Sequence, residues 1–286
     1  MPTPDNALFD EDAYLACNPD VRQAVAAGQF SSGLDHFMKF GQRENRPGVA
    51  VDPAGGDATR YPPEHLRFRV HGARDLDDYL RLGRVISGDV DRLLAAQSVT
   101  VPPAAMVLDF GCGPGRVATW LKQRHADWRI FGTDIDAEAI AWAQAHLADV
   151  ATFECNAPMP PLRYPDGHFD FVYSISIFTH LPQKMQDAWL GELARVTRKG
   201  CCLALTTHAE DLLGPSAKKM PAEGFFYARG RRTQGLPRFY QNSFQTSDYV
   251  RRVWSRYFSI EQVIPRGVAG HQDLVVCRAR DRSGSE

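Results

Sequence analysis

The sequence has no long apolar run, and this argues against a membrane-spanning helix. No stretch approaches the roughly 20 apolar residues that such a helix needs. Residues 1–10 also lack the basic segment and the apolar core that are typical of a signal peptide. We therefore expect a cytoplasmic protein.

An excess of charge of one sign is also absent. Lys and Arg together number 33 against 34 Asp and Glu, so the formal net charge is -1. Such a balance supplies no global attraction for nucleic acid or for an anionic membrane surface. No nucleic-acid partner is expected, and any basic recognition must be local. The hydrophobic fraction of 44% is that of an ordinary globular protein.

The six cysteines form no C-x-x-C pair, and no nearby histidine completes a metal-ligand spacing. We expect reduced, mostly buried thiols and no metal site.

The chain divides by composition into three parts. Residues 1–48 are predicted to be a small helical module, because Asn18 and Pro19 can open one helix and Ser31 or Ser32 can cap a second. Residues 49–63 are rich in proline and glycine, as is typical of a linker. Residues 64–286 are predicted to form the main domain.

The main domain alternates strand-like and helix-like segments, which predicts an α/β fold with a mostly parallel sheet. Two strand-like runs at the end of the chain predict an antiparallel edge. The predicted strands are 106–110, 129–133, 151–154, 169–175, 201–207, 259–265 and 274–279, and the predicted helices are 75–97, 115–125, 137–147, one opened by Pro182, and 247–257.

The most informative segment is VLDFGCGPGR, residues 107–116, a buried strand that runs into a glycine loop and then a helix. Glycines at 111, 113 and 115 allow a ligand to touch the backbone. The helix that begins near Gly115 offers free N–H groups to an anionic group of a ligand.

Two residues argue against a dinucleotide in this loop. Arg116 stands where the third small residue of the G-x-G-x-x-G fingerprint would fall. Asp109 directly precedes the loop, where a carboxylate would repel a pyrophosphate but attract an ammonium group. An NAD(P)-dependent oxidoreductase remains the alternative enzyme class.

The segment VLDFGCGPGR resembles the first motif of class I S-adenosylmethionine-dependent methyltransferases, and the similarity extends over residues 66–280. It implies a Rossmann-like, mostly parallel seven-stranded sheet with an antiparallel edge, and S-adenosylmethionine as the cofactor. Asp134 matches the acid that holds the ribose hydroxyls, and Asp136 fits a helix N-cap. The implied donor-site residues are Asp109, Gly111, Gly113, Gly115, Asp134, Ile135, Asn156, Ala157 and Ser174, with Asn156 and Ala157 beside the adenine and Ser174 near the transferable methyl group.

Three histidines are candidates for the base that deprotonates a hydroxyl acceptor: His180, His208 and His271, each after or before a predicted strand. The long connection 209–240 is predicted to be an acceptor-side lid. Two upstream features, residues 68–72 and Tyr79, resemble family segments that fold over the donor. The lid carries, among its basic residues, Lys218, Lys219, Arg229, Arg231 and Arg232, and Tyr240 and Gln241 are candidates for the acceptor pocket.

Residues 9–48 resemble a short module found beside bacterial glycosyltransferases and methyltransferases of surface-polysaccharide pathways. This resemblance implies a small-molecule or saccharide acceptor in glycan biosynthesis, methylated at oxygen, and a possible protein partner for residues 9–46. A non-catalytic donor-binding scaffold is the third hypothesis. The acceptor itself, the choice among oxygen, nitrogen and carbon, and the oligomeric state stay open at this point.

Overall fold

The computed structural model describes residues 11, 14–15, 18–41, 44, 46, 57–97, 99–230, 233 and 235–280. The chain divides into two compact units, Met1–Tyr61 and Pro62–Glu286. Most of the predicted linker, residues 49–56, lies outside the described part. So do Arg231, Arg232 and Cys17.

The N-terminal unit is helical. Helix α1 (Pro19–Ala26) begins with proline, whose missing N–H is no loss in a first turn. The predicted side-chain cap at Asn18 is wrong, because its amide donates to the Tyr14 carbonyl at 2.8 Å instead. The short α2 (Gly33–His36) is capped as predicted by Ser32, whose hydroxyl accepts a hydrogen bond from the Asp35 N–H. A π-helical turn continues it to Gly41.

The larger unit is built on a seven-stranded sheet in the order β3-β2-β1-β4-β5-β9-β8. Strands β1 to β5 run parallel, and β9 lies antiparallel between β5 and β8, which confirms the predicted antiparallel edge. A separate pair, β6 and β7, is antiparallel. Among the described residues the strands are β1 (Met106–Phe110), β2 (Arg129–Asp134), β3 (Thr152–Cys155), β4 (Phe169–Ser174), β5 (Thr197–Thr207), β6 (Phe225–Ala228), β7 (Asn242–Gln245), β8 (Phe258–Val268) and β9 (Gln272–Ala279).

Helices cover both faces of this sheet. On one face α4, α5 and α6 contribute Val90, Leu121 and Ile140 to the core. On the other face α7 and α8 contribute Trp189 and Trp254. In the larger unit the described helices are α3 (Glu64–His71), α4 (Leu76–Ala96), α5 (Arg116–Arg124), α6 (Ala137–His146), α7 (Gln183–Val196) and α8 (Ser247–Trp254), with a 3-10 helix at Glu210–Lys219. Another 3-10 helix, Ala58–Arg60, belongs to the N-terminal unit.

The strand order reverses direction between β1 and β4. Ligands of open α/β sheets bind outside the carboxyl ends of the strands at such a switch point. The carboxyl end of β1 leads directly into the glycine loop, so the fold presents this loop at the expected binding position. Among the described residues, no helix is both long enough and apolar enough to cross a bilayer.

Candidate active site

The glycine loop is held in a left-handed backbone conformation. Gly111, Gly113 and Gly115 have φ values of 83°, 52° and 82°, which residues with a side chain rarely adopt. A Cβ on Gly111 would lie 2.1 Å from the Ile177 Cδ1 atom. The loop therefore requires glycine for its conformation and, at Gly111, for close packing. Helix α5 begins at Arg116 immediately after it.

Asp109 is a buried carboxyl group at the base of the loop, 2% exposed. Its Oδ2 atom has no hydrogen-bond partner among the described residues. Burial raises the pKa of Asp109 to about 7, and the Tyr173 hydroxyl and Arg116 beside it oppose that rise. A cationic ligand would offset the free-energy cost of burying the negative charge of Asp109.

Asp134 is held at the end of β2 by the loop itself. Its Oδ2 accepts from the Gly113 N–H and its Oδ1 accepts from the Asp136 N–H, both at 2.8 Å. Each carboxylate oxygen has a second lone pair, so both can still accept from the hydroxyls of a ligand. Asp136 caps α6 through its side chain, as predicted.

Asn156 follows β3, and its backbone N–H donates to the Asp134 carbonyl at 2.9 Å. Its side-chain amide donates to the Ala157 carbonyl at 2.8 Å. The buried Oδ1 atom has no partner among the described residues, so it can accept from an amino group of a ligand.

These residues surround a cavity of about 930 Å³, partly open to solvent, which we call the glycine cleft. Gly115, Ala157 and Ser174 are not part of its wall. Ser174 is fully buried and donates its hydroxyl to the Phe110 carbonyl at 2.8 Å, so its side chain packs the strand ends. Six of the nine predicted donor-site residues do line the cleft: Asp109, Gly111, Gly113, Asp134, Ile135 and Asn156.

A second cavity of about 1100 Å³, also partly open, adjoins the cleft. All three candidate histidines line it, and we call it the histidine chamber. The ring of His208 lies 5.8 Å, between centroids, from both His180 and His271. The glycine cleft and the histidine chamber share a wall that consists of Arg69, Val70, Arg116, Ile175, Ser176 and Tyr240.

The protonation pattern of His180 follows from its hydrogen bond. Nδ1 lies 2.7 Å from the Gln241 carbonyl, which can only accept, so Nδ1 carries the proton. In the neutral ring the lone pair is then on Nε2. The Tyr240 ring lies 4.3 Å from the His180 ring.

The connection 209–240 is partly regular. It contains the 3-10 helix Glu210–Lys219 and strand β6, and it supplies Leu236, Phe239 and Tyr240 to the cleft wall. Its described basic side chains, Lys218, Lys219, Arg229 and Arg238, are exposed and line neither cavity.

Two further residues line the cleft without having been predicted from the sequence: Ser176 and Ile177, which directly follow β4. Ser176 has a φ of 63° and accepts a hydrogen bond on its Oγ from the Gln272 amide at 2.7 Å. Their position after a predicted strand, at the edge of the sheet where ligands bind, is the sequence signal that would have indicated them.

The prediction that residues 68–72 and Tyr79 fold over the donor fits the structure in part. Arg69 and Val70 line the cleft, whereas Tyr79 is buried away from its wall.

Residues 107–200 match the family model for a methyltransferase domain. Over these residues the chain is similar to a methyltransferase domain. The match begins in β1 and ends in β5, so it includes the loop and every predicted donor-site residue.

Two curated relatives share part of this methyltransferase domain. The malonyl-[acyl-carrier protein] O-methyltransferase of Enterobacter lignolyticus is 34% identical over 112 residues, which is 38% of this chain and 41% of that protein. The ajmaline N-methyltransferase of Rauvolfia serpentina is 29% identical over 119 residues, which is 40% of each chain. The chain thus spans about two fifths of the length of these relatives.

Solved structures share the fold. A S-adenosylmethionine-dependent methyltransferase from Methanosarcina mazei superimposes with a TM-score of 0.51 at 20% identity, covering 65% of this chain and 97% of that one. The Rossmann-like methyltransferase fold expected from the sequence is therefore confirmed.

The family and the fold imply S-adenosylmethionine as the cofactor of the methyltransferase domain. The residues present fit it. Asp109 and Asn156 each bury an oxygen that lacks a partner among the described residues, and the cofactor carries an ammonium and an adenine amino group. No group of three or more His, Cys, Asp or Glu side chains in the described part is arranged to hold a metal ion.

Proposed function

We propose that this protein transfers a methyl group from S-adenosylmethionine to the oxygen of a small-molecule or carbohydrate acceptor. The observation that carries the proposal is the shared wall between the glycine cleft and the histidine chamber. A donor in the cleft and an acceptor in the chamber would meet beside Ser176 and Tyr240. Such alignment turns a bimolecular displacement into an effectively unimolecular step.

On the donor side, Asp109 would hold the ammonium, Asp134 the ribose hydroxyls and Asn156 the adenine edge. The cofactor supplies a methyl group already activated on a sulfonium. The carboxylates of the cleft would favour binding of the positively charged donor, and the apolar wall that includes Ile177 and Trp189 would exclude water.

On the acceptor side, His180 is the proposed general base. Its Nδ1–H bond to the Gln241 carbonyl fixes the ring and leaves the lone pair on Nε2, where it can take a proton from a hydroxyl. His208 and His271 lie on the same chamber and are the other candidates.

A carbohydrate acceptor in the cytoplasm is the finer part of the proposal. Its support is the resemblance of residues 9–48 to a module of polysaccharide pathways and the hydrogen-bonding character of the chamber, to which Asn242 and Gln272 contribute. The histidine chamber is also large enough for a small molecule.

The test is incubation with a methyl-labelled donor and fractionated cell-surface precursors. Labelled saccharide product is the expected result, and label found only in protein or nucleic acid would contradict the carbohydrate acceptor. Donor binding without any methylated product would favour the scaffold hypothesis. Binding of NAD instead of S-adenosylmethionine would favour the oxidoreductase.

With a product in hand, we expect His180→Gln to lower kcat by about 10²–10⁴-fold with donor affinity unchanged, because only the base is lost. His146→Gln is the matched control, since the Nδ1 of His146 also donates to a backbone carbonyl but the residue lines neither cavity. An equal loss in both variants, or a larger loss in His208→Gln or His271→Gln, would contradict the assignment.

A further inference from the structure

The two cavities differ in the charges of their walls. Three carboxylates line the glycine cleft, those of Asp109, Asp134 and Asp136. Among the described residues that line the histidine chamber there is no Asp or Glu, whereas two arginines and three histidines are present. The cleft therefore suits a cationic ligand and the chamber suits an anionic one.

Two acidic groups close in sequence to the chamber wall are bonded elsewhere. The Asp89 carboxylate accepts from the Ala269 N–H at 2.8 Å and pairs with Arg92. The Asp273 carboxylate accepts from the Arg266 N–H at 2.9 Å. These carboxylates stabilise the backbone and do not neutralise the wall.

Of the two arginines in the wall, Arg69 already has anionic partners. Its guanidinium pairs with Asp136 at 2.9 Å and with Glu138 at 2.7 Å. These two ion pairs balance its charge, so Arg69 has little capacity to attract a ligand anion.

Arg116 differs. It is 8% exposed, and its Nη1 atom is buried with no hydrogen-bond partner in the described part of the chain. Its guanidinium lies over the Tyr79 ring at 5.8 Å. The carboxylates of Asp109 and Asp78, both among the described residues, attract it electrostatically, but neither forms a salt bridge with it. Burying a cation whose N–H donor lacks a hydrogen-bond acceptor destabilises the protein, unless a ligand supplies that acceptor. Arg116 lines the wall common to both cavities.

We propose that the methyl acceptor carries an anionic group, a carboxylate or a phosphate, which Arg116 binds at the wall between the two cavities. This inference rests on the proposed function and narrows its acceptor class. The planar guanidinium matches the oxygens of either group with two parallel hydrogen bonds. The anion would fix one end of the acceptor beside the donor cleft, with the rest of the molecule among the histidines.

The first experiment measures the affinities of acetate, inorganic phosphate and acetamide, the neutral isostere of acetate, by NMR titration of the wild-type protein. Each titration is carried out with and without S-adenosylhomocysteine. We expect one or both anions to bind at least about tenfold more tightly than acetamide, and the tighter anion names the group. Equal binding of acetate, phosphate and acetamide would overturn the inference. Failure to bind S-adenosylhomocysteine would contradict the proposed function and leave the anion comparison intact.

The second experiment uses Arg116→Gln, with Arg229→Gln as the control for loss of one positive charge outside the cavities. We expect Arg116→Gln to weaken anion binding by about tenfold to a hundredfold while S-adenosylhomocysteine still binds, and Arg229→Gln to change neither. Loss of donor affinity with anion binding intact would assign Arg116 to the carboxylate of the donor and overturn the inference. The wild-type comparison stands even if Arg116→Gln does not fold.

Discussion

The carboxyl groups of Asp109 and Asp134 are both buried in the glycine cleft. Burial raises the pKa of Asp109 from 3.8 to about 7 and shifts that of Asp134 in the same direction. A raised pKa in the folded state means that the folded protein binds more protons than the unfolded chain between these values. The burial of Asp109 therefore lowers stability as the pH rises from 4 to 7, by up to about 1.4 kcal/mol per pH unit.

Donor affinity has the opposite dependence on pH. The carboxylate form of Asp109 attracts the donor ammonium, so we expect the affinity for S-adenosylmethionine to rise as the pH increases through 7, by up to about tenfold per unit below that value. Calorimetry between pH 6 and 8 measures it. Asp109→Asn should bind more weakly at pH 8 and show a flatter profile. An unchanged profile in that variant would mean that another group titrates.

Asp134 links the donor site to the loop. We expect Asp134→Ala to weaken donor binding by about 1–3 kcal/mol, because the ribose loses its hydrogen-bond acceptor. Calorimetry measures the loss, and Asp248→Ala, an exposed acid in the first turn of α8, is the control. Equal affinities of Asp134→Ala and the wild type would refute the role of Asp134.

Among the elements, the glycine loop has the strictest sequence requirement. Gly111→Ala places a Cβ on the Ile177 side chain in addition to forcing a φ of 83°. Gly200 in β5 has a φ of 76° but open space around it, so Gly200→Ala tests the backbone strain alone. We expect Gly200→Ala to cost about 1–2 kcal/mol of unfolding free energy and Gly111→Ala about 1–3 kcal/mol more. Denaturant unfolding checks this, and equal losses would argue against the steric contact.

Most of the other elements follow from local sequence patterns as well. The predicted bounds of β1 match the observed ones. The bounds of α4, α5 and α6 lie within one residue of those predicted. Helix caps such as Asp75 and Asp136 can be recognised from the sequence because they bond to the first turn of their own helix. Strand β8 extends beyond the predicted run at both ends. Its extra residues pair with β9, a contact that the local pattern does not contain.

For the whole molecule, every residue assigned to the donor and acceptor sites lies in Pro62–Glu286. We expect a chain of residues 62–286 to bind S-adenosylmethionine with the affinity of the full chain, as calorimetry can show. Equal affinities would show that residues 1–61 are not needed for donor binding. Loss of donor binding in the shorter chain would instead give residues 1–61 a part in the site.

The sequence by itself determined the parallel sheet, the glycine loop and the carboxylates at the strand ends, since periodicity, caps and left-handed glycines depend on neighbours along the chain. Only the tertiary structure decided which side chains share a cavity. Ser174, adjacent to the cleft in sequence, packs inward, while Arg116, Tyr240 and His271, far apart along the chain, meet at one chamber. Parallel strands bring their carboxyl ends to one edge of the sheet, and later segments of the chain fold over that edge. Which side chains form the walls of the two cavities therefore depends on the packing of the complete sheet.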